Sequence, residues 1–286
     1  MPNNTTPCYF PSRASSISND GLVVIRGAGD IATGIALRLY NAGFSIIMTE
    51  IERPTMIRCS VSLGQCVYQG AHQVEGISAS KARDLSHAVE LIEQGHIPVL
   101  QDQDLQQVSR LQPRYVIDAI LAKRNINFHR DLAPITIALG PGFSGGSDCD
   151  AVIETNRGHH LGRVIYQGST QDNTGVPGNI AGFSHQRVIR APCAGQMRSH
   201  TQIGALVEQG ELIAHVGETS VYAPLSGMVR GLLNNDIEVS KDFKIGDIDP
   251  RGAEADFTTV SDKARAIAGS VLEAMLHLQH RRAFKA

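Results

Sequence analysis

The spacing of apolar residues divides this chain of 286 residues into regions of different predicted structure. Between residues 21 and 188, short apolar runs typical of buried strands surround a stretch of helical spacing at 81–93, which predicts a helix there. The strand-like runs are Leu22–Ile25, Phe44–Glu50, Ile97–Leu100, Tyr115–Asp118 and Pro134–Leu139. Strands that alternate with helices predict an α/β fold with a parallel sheet.

The first of these strands runs directly into a glycine-containing turn and then into a helix. Gly27 permits the tight turn, Gly29 leaves the backbone open to a phosphate, and Ala32 provides the small residue that helix–strand packing needs. The helix begins near Asp30 and Ile31, where free N–H groups can bind an anion. This arrangement predicts a Rossmann-like domain whose turn binds a cofactor or serves packing alone.

Two carboxylates bear on whether this turn binds a dinucleotide, and on which one. The second strand ends at Glu50, 23 positions after Gly27, where an acid can accept both hydrogen bonds of a ribose diol and favours NAD over NADP. Asp30 lies inside the turn and would repel a pyrophosphate unless its side chain points away. We expect the Rossmann-like domain to span residues 21–188, after a flexible segment at 1–20 that is rich in polar residues.

An internal repeat begins after residue 188. The segment Ala191–Arg198 is echoed by Ala223–Arg230 at an offset of 32 positions, and each copy opens with Ala-Pro-x-x-Gly. Two such β units resemble the halves of a barrel-sandwich hybrid, which predicts a small all-β domain over 189–257. The hairpin region Val216–Tyr222 has no lysine to carry a prosthetic arm. We therefore expect no biotin or lipoate, and a structural or docking role instead.

The C-terminal segment, 258–286, is predicted to form a helix. Its apolar residues between Thr259 and His280 fall on one helical face, which would pack on the same chain or on a partner copy in a homodimer.

Composition and charge argue against several classes of function. Acids and bases are mixed along the chain and the net charge is −2, which gives no basic surface for nucleic acid. No apolar run reaches the roughly 18 to 20 residues that span a bilayer, so we expect a cytoplasmic protein. The five cysteines include no C-x-x-C pair. No metal site is expected, because the adjacent His159 and His160 would point apart on a strand.

Residues 140–162 form a polar segment directly after the last apolar strand. Glycines such as Gly142 can turn successive N–H groups toward an anion, Arg157 can bind a phosphate or carboxylate, and His159 can exchange protons near neutral pH. The alternative is an ordinary glycine-rich connection with exposed charges. Asp118, at the end of another strand, either binds a ligand or caps a helix.

Several motifs, taken in order, resemble a bacterial accessory family linked to selenium-dependent molybdenum hydroxylases. The resemblance covers residues 21–278, and its motifs are Arg26–Gly34, Val74–Gly76, Asp118–Asn125, Gly140–Phe143, Glu154–His159 and Lys244–Arg251. It implies a role in maturing a molybdenum enzyme. The chain is similar, more loosely, to Rossmann-bearing chaperones that hold molybdenum cofactor before its insertion.

Three functions follow as hypotheses. The first is an accessory protein that binds a nucleotide or molybdenum cofactor, as molybdopterin or its dinucleotide, and presents it to a client molybdenum hydroxylase. The second is an NAD-dependent oxidoreductase with Glu50 on the ribose and His159 as proton relay. The third is a non-catalytic adaptor whose Rossmann-like half is empty.

Overall fold

The computed structural model describes residues 21–176 and 178–283 of the chain. The segment 1–20, expected to be flexible, lies outside the described residues. Within the described part, no helix combines the length and the apolar character that crossing a membrane requires.

A sheet of nine strands forms the core of the N-terminal part. Its members are β1 (Leu22–Arg26), β2 (Ser45–Glu50), β3 (Ala71–Val74), β4 (Ile77–Ala82), β5 (Ile97–Gln101), β6 (Tyr115–Asp118), β7 (Ile135–Leu139), β9 (Ala151–Ile153) and β10 (Val164–Ile165). Their order is β10-β9-β7-β6-β1-β2-β5-β4-β3. All neighbours pair in parallel except at the two edges, where β3 and β10 run antiparallel. A two-stranded ribbon, β8 (Ser144–Gly145) with β11 (Gly168–Ser169), lies beside it.

Helices cover both faces of this sheet. They are α1 (Asp30–Asn41), α2 (Cys66–Gln69), α3 (Leu85–Glu93) and α4 (Asp262–Ala283). Because side chains alternate along a strand, Val23 and Ile25 pack in the core formed with α1 and α4, whereas Leu22 and Val24 pack in the core formed with α3. The structure is therefore mixed α/β, with a large, mostly parallel sheet, as the sequence predicted.

The predicted helix at 81–93 begins later than expected. Lys81 and Ala82 belong to β4, because they pair in parallel with Val99 and Leu100 of β5. The helix α3 starts only after Asp84, whose side chain caps it by accepting a hydrogen bond from the backbone N–H of His87 at 2.8 Å.

The repeat after residue 188 forms two sheets of four strands each. Its strands are β12 (Val188–Arg190), β13 (Gly195–Ser199), β14 (Leu206–Val207), β15 (Leu212–Val216), β16 (Thr219–Tyr222), β17 (Gly227–Leu232), β18 (Glu238–Val239) and β19 (Lys244–Asp249). The two orders are β12-β19-β17-β14 and β16-β15-β13-β18. Replacing each strand by its counterpart 32 positions away converts one order into the other. We call residues 188–249 the two-sheet unit.

Equivalent glycines in the two repeats allow equivalent close contacts. Gly195 has a φ of +153° and Gly227 a φ of +158°, both in the region that favours glycine. A Cβ at Gly195 would lie 2.9 Å from the backbone nitrogen of Gly217, and a Cβ at Gly227 would meet the carbonyl oxygen of Asp249. The repeated Ala-Pro-x-x-Gly motif therefore marks the point where each half crosses the other closely.

The C-terminal helix packs on its own chain. Its buried residues face α1 and the large sheet: Ala264, Ile267, Ala268, Val271, Ala274, Met275 and Leu278. The contact with α1 is closest at Gly34, where a Cβ would lie 2.7 Å from the Cβ of Ala264. The chain therefore returns from the two-sheet unit to complete the helical layer of the first sheet.

We expect Gly34→Ala to lower the free energy of unfolding by about 1–2 kcal/mol. Overpacking at Ala264 costs roughly 1–3 kcal/mol, which exceeds the roughly 1 kcal/mol that alanine gains over glycine in a helix. Urea unfolding followed by circular dichroism measures the change.

Gly269→Ala is the matched control, because Gly269 lies in α4 and a Cβ there meets no atom within 4 Å. It should leave stability unchanged or raise it. Adding Ala264→Gly to Gly34→Ala should recover part of the loss. A Gly34→Ala variant as stable as the parent would contradict the close packing of α1 and α4.

Candidate functional site

A cavity of about 920 Å³ lies between the start of α1 and the two-sheet unit. The large sheet contributes residues that follow the carboxyl ends of its strands: Asp30 after β1, Lys123 after β6 and Pro141 after β7. The opposite wall includes Lys244 and Asp247 of β19. Ligand sites of α/β sheets occur at this edge, which makes the cavity the candidate functional site.

Positive charge dominates the lining of this cavity. Four acids line it, namely Asp30, Glu154, Asp172 and Asp247, against eight basic side chains, namely Arg58, Lys123, Arg157, Arg187, Arg190, Arg230, Lys244 and Lys263. The whole chain, in contrast, has a net charge of −2. An excess of cations in one concave site attracts anions from solution.

Several guanidinium nitrogens in the cavity are buried and have no hydrogen-bond acceptor among the described residues. Among the described residues, none accepts a hydrogen bond from Nε or Nη2 of Arg58, or from Nε of Arg187 or Arg230. Arg58 is 8% exposed and Arg187 is 6% exposed. An unsatisfied buried donor costs about 1–3 kcal/mol, so an anion that accepts these hydrogen bonds would bind favourably.

Carboxylates lie beside all three arginines, and Arg230 Nε is 3.7 Å from Oδ2 of Asp249. Arg187 Nη1 forms an ion pair with the carboxylate of Asp247, and its Nη2 donates to the carbonyl oxygen of Gly178 at 3.1 Å. Arg58 Nη1 lies 4.0 Å from the nearest carboxylate oxygen of Asp30. Hydrogen bonds therefore fix the Arg187 guanidinium, whereas Arg58 and Arg230 have only longer contacts to a carboxylate and keep donors available.

Three cavity lysines have side-chain amines with no hydrogen bond or ion pair to any residue in the described ranges: Lys123, Lys244 and Lys263. Burial lowers the pKa of all three amines, because it disfavours the charged form. For Lys263, the charges of Lys123 and Arg157 lower the pKa further. An anion bound near these amines would favour their charged forms and so raise their pKa values.

The start of α1 adds a partial positive charge to the same cavity. Gly29 is the N-cap residue and supplies no side-chain hydrogen bond to the first turn. Asp30 and Ile31, the first two residues of the helix, line the cavity. Backbone N–H groups at such a helix start favour a negative ligand.

The glycine turn is built around Glu50. Glu50 accepts a hydrogen bond from the backbone N–H of Ala28 at 2.9 Å and another from Ile51 at 3.0 Å. Burial raises the pKa of this carboxyl. Glu50 does not line the cavity, so its position stabilises the turn and is not directed at a ligand in this cavity.

The three small residues of the turn differ in how much space surrounds them. Gly27 has a φ of +100°, and a Cβ there would lie 3.1 Å from the carbonyl oxygen of Ala119. Ala32 is fully buried in the core. A Cβ at Gly29 would meet only Met56, at 4.0 Å, so this position is open. None of these three residues lines the cavity.

Three further predicted site residues lie outside the cavity lining. Asp118 is fully buried and forms an ion pair with Arg26, with Oδ2 and Nη1 3.0 Å apart. Gly142 has a φ of +103° and packs against the backbone of Arg124. His159 is exposed, with its ring against that of His160 at a centroid distance of 5.4 Å.

Arg157 lines the cavity but already has a partner. Its Nη1 and Nη2 each donate to one carboxylate oxygen of Asp262, both at 2.9 Å. Of the predicted site residues, the structure thus brings Asp30, Ile31 and Arg157 into the cavity.

Most of the cavity's basic residues were not predicted as site residues. Arg58, Arg187, Arg230 and Lys263 come from distant segments, and only Arg230 lies in a pattern that the sequence showed, as the last residue of the repeat Ala223–Arg230. Lys244 belongs to the motif Lys244–Arg251, which was a second sequence signal for this wall. These basic residues come together only in the tertiary structure.

No family model matches the chain. The chain is 57% identical over 277 residues to the uncharacterized protein YqeB of Escherichia coli (strain K12), a match that covers 97% of this chain and 51% of that protein. The chain therefore spans about half the length of this curated relative.

Solved structures show only weak similarity. An aspartoacylase family protein from Mesorhizobium loti is 11% identical with a TM-score of 0.28, over 79% of this chain and 84% of that one. The ectoine utilization protein EutE (DoeB) from Ruegeria pomeroyi is 10% identical with a TM-score of 0.25, over 80% and 85% of the two chains. TM-scores of this size do not identify a common fold.

We expect Asp262→Asn to lower the free energy of unfolding by about 0.5–1 kcal/mol at neutral pH, because Asp262 is exposed and its ion pair is screened. The hydrogen bonds from Arg157 lower the pKa of Asp262 from 3.8 to about 2. A carboxyl whose pKa is lowered by folding stabilises the protein above its unfolded pKa, and this contribution disappears as the pH falls through the folded value. The difference between parent and variant should therefore shrink between pH 4 and 2, as measured by urea unfolding.

Glu273→Gln is the control on the same helix, because Glu273 is exposed and faces no arginine in a described ion pair. It should change stability little at any pH. A difference for Asp262→Asn that stays constant down to the lowest pH would show that the carboxylate charge is not the cause.

Proposed function

We propose that this chain binds the phosphate-bearing part of a nucleotide or of molybdenum cofactor in the basic cavity. On this proposal it acts as an accessory protein that presents the ligand to a selenium-dependent molybdenum hydroxylase. The observation that carries the binding proposal is the set of buried guanidinium nitrogens that have no hydrogen-bond acceptor among the described residues. The client is suggested by the sequence resemblance alone.

The residues of the cavity fit a phosphate. Arginine donates in a planar fork that matches phosphate oxygens, and charge-assisted hydrogen bonds of this kind are about twice as strong as neutral ones. Arg58 and Arg230 would donate to such a group, and Lys244 would neutralise part of its charge. Molybdopterin, its dinucleotide and NAD all carry phosphate, so the fit supports each of them. When bound, molybdenum cofactor would bring the redox metal centre, whereas the chain's residues hold its phosphate.

The strand order supports a Rossmann-like first domain. Apart from β4 and the antiparallel edges, the parallel strands lie in the order β5-β2-β1-β6-β7-β9. In order of appearance this is 3-2-1-4-5-6, the arrangement of doubly wound dinucleotide-binding sheets. Such sheets bind ligands where the strand order reverses, which here is between β1 and β6, and Asp30 and Lys123 follow these two strands in the cavity lining.

The interleaved sheets of residues 188–249 support the barrel-sandwich-like assignment for the second domain. On our proposal this unit forms one wall of the ligand site and offers its outer surface to the client. The hairpin between β15 and β16 contains Gly217 and Glu218.

The competing functions receive less support. An NAD-dependent oxidoreductase needs Glu50 near a ribose, but this carboxylate is bonded to the turn and does not line the cavity. Its suggested proton relay, His159, also lies outside the lining. An adaptor with an empty cavity would leave the unpaired nitrogens of Arg58 and Arg187 without a benefit that offsets their burial.

We expect Lys244→Met to weaken the binding of inorganic phosphate and of AMP about tenfold, since one charge-assisted contact is worth roughly 1.5 kcal/mol or more. The same change should raise the stability of the ligand-free protein by roughly 0.5–2 kcal/mol. Burial lowers the pKa of Lys244, which means that folding disfavours its charged form. Isothermal titration calorimetry and urea unfolding measure the two effects.

Lys241→Met is the matched control, because Lys241 is exposed and outside the cavity lining. It should alter neither quantity. Equal weakening of phosphate binding in both variants would show that the anion binds elsewhere or through general charge.

We expect native mass spectrometry of the protein, purified from a molybdenum-replete bacterial host, to show a bound molybdopterin species. Arg58→Met and Arg230→Met should lose this mass, while Lys241→Met should keep it. Release of NAD would favour the oxidoreductase, and a ligand-free mass across several preparations would favour the adaptor.

A further inference from the structure

Three hydrogen-bonded side chains lie together on one face of the sheet β16-β15-β13-β18. Nε2 of His215 is 3.1 Å from Oγ of Ser220, and Nδ1 of the same ring is 2.6 Å from Nε2 of His200. None of the three lines the basic cavity. A hydroxyl beside a histidine whose other nitrogen contacts a third group is an arrangement that activates nucleophiles.

Strand pairing places the side chains of this cluster on the same face. His215 lies on β15, an interior strand of its sheet, and pairs with Arg198 of β13 on one side and with Ser220 of β16 on the other. Residues directly opposite each other on antiparallel strands point to the same face of a sheet. Paired strands on both sides therefore fix the position of His215.

A bulge in β15 turns His215 toward this face. The register of β15 with β16 shifts between Leu212 and Ala214, and both Ile213 and Ala214 are buried in the core of the two-sheet unit. Val216 is buried in the same core. His215 lies between two buried residues and therefore points outward, where it is half-buried.

Hydrogen bonds of the main chain position His200. Its backbone N–H donates to the carbonyl oxygen of Ile213 at 2.8 Å. The preceding residue, Ser199, donates its backbone N–H and its hydroxyl to Oδ1 of Asn235, at 2.7 and 2.9 Å. These contacts hold the His200 ring against that of His215, with a centroid distance of 4.7 Å.

The chain of hydrogen bonds has two directions, because a neutral imidazole has one donor and one acceptor nitrogen. In the first, the hydroxyl of Ser220 donates to Nε2 of His215, and Nδ1–H of His215 donates to His200. His215 can then take the hydroxyl proton, and His200 stabilises the imidazolium that forms. In the second, Nε2–H of His215 donates to Ser220, and this nitrogen cannot take a proton.

We propose that Ser220 is a nucleophile that accepts an acyl group from an ester or thioester, with His215 as its base and His200 as a positioning residue. Oγ bonds to the acyl carbon while its proton passes to Nε2 of His215. The bond from that carbon to the leaving oxygen or sulfur then breaks, and the leaving group takes the proton from His215. The products are an acyl ester of Ser220 and a free alcohol or thiol. This reaction is independent of the ligand proposed for the basic cavity.

Labelling with a fluorophosphonate tests the nucleophile, because this reagent forms a stable bond to an activated serine oxygen and releases fluoride. Peptide mapping by mass spectrometry should place the label on Ser220, at a rate at least about tenfold above that of Ser80. Ser80 is the matched control, because its Oγ lies 2.8 Å from Nδ1 of His96 while no described residue pairs with Nε2 of that ring. Equal labelling of the two serines, or no label on Ser220, would overturn the proposal.

A reaction with p-nitrophenyl acetate tests acyl transfer itself. The parent protein should release p-nitrophenol in an initial burst of about one molecule per chain, and the acetyl group should be found on Ser220. Ser220→Ala should lose the burst and Ser80→Ala should keep it. A burst that survives Ser220→Ala would show that another residue accepts the acyl group and contradict the proposal.

Variants separate the roles of the two histidines. His215→Phe should slow the fluorophosphonate labelling of Ser220 about a hundredfold, because the base is lost. His200→Phe should slow it about tenfold, whereas His200→Asp should keep a rate close to that of the parent, because a carboxylate accepts the same hydrogen bond. A role in packing alone would give the opposite order for these two substitutions.

Circular dichroism checks that each variant is folded. If His215→Phe does not fold, His215→Gln replaces it, because glutamine keeps a polar side chain that takes no proton. Labelling of Ser220 that is unchanged without the His215 imidazole would overturn the assignment of the base. Equal rates for His200→Phe and His200→Asp would overturn the positioning role of His200.

Discussion

The packing of α4 on α1 determines how the two parts of this protein are arranged. The contact is close because Gly34 has no side chain and faces Ala264. It returns the chain from the two-sheet unit to the large sheet, and it places Lys263, the residue before Ala264, at the edge where α1 begins. The cavity lies where both parts meet at that edge, and the packing of the two helices places one of its lysines there.

The cavity holds its positive charge at an energetic cost. Buried amines and guanidinium groups repel one another and lose hydration, and the protein offsets this only in part through acids, such as Asp247 beside Arg187 and Asp249 beside Arg230. Proteins accept such costs mainly at functional sites, where a ligand supplies the missing interactions. The uneven distribution of charge, in a chain whose total charge is slightly negative, therefore points to the cavity more directly than any single residue does.

Sequence patterns predicted the elements better than the site. Apolar spacing located the parallel strands because burial on both faces produces continuous apolar runs, and the offset of 32 positions located the repeat. Glu50 was expected to face a ribose, because spacing along the chain does not reveal that Ala28 turns its N–H toward that carboxylate. Arg58 and Arg230 are 172 positions apart in the chain, and no local pattern predicts that β17 brings them together.

The exchange of strands between the halves of the two-sheet unit has a consequence for its origin and assembly. Each sheet takes two strands from the first half and two from the second, so neither half alone contains a complete sheet. A single ancestral copy of the repeat would have needed to associate with a second copy to bury its apolar residues. Fusion of two copies in one chain turns that association into an intramolecular step, which no longer depends on protein concentration.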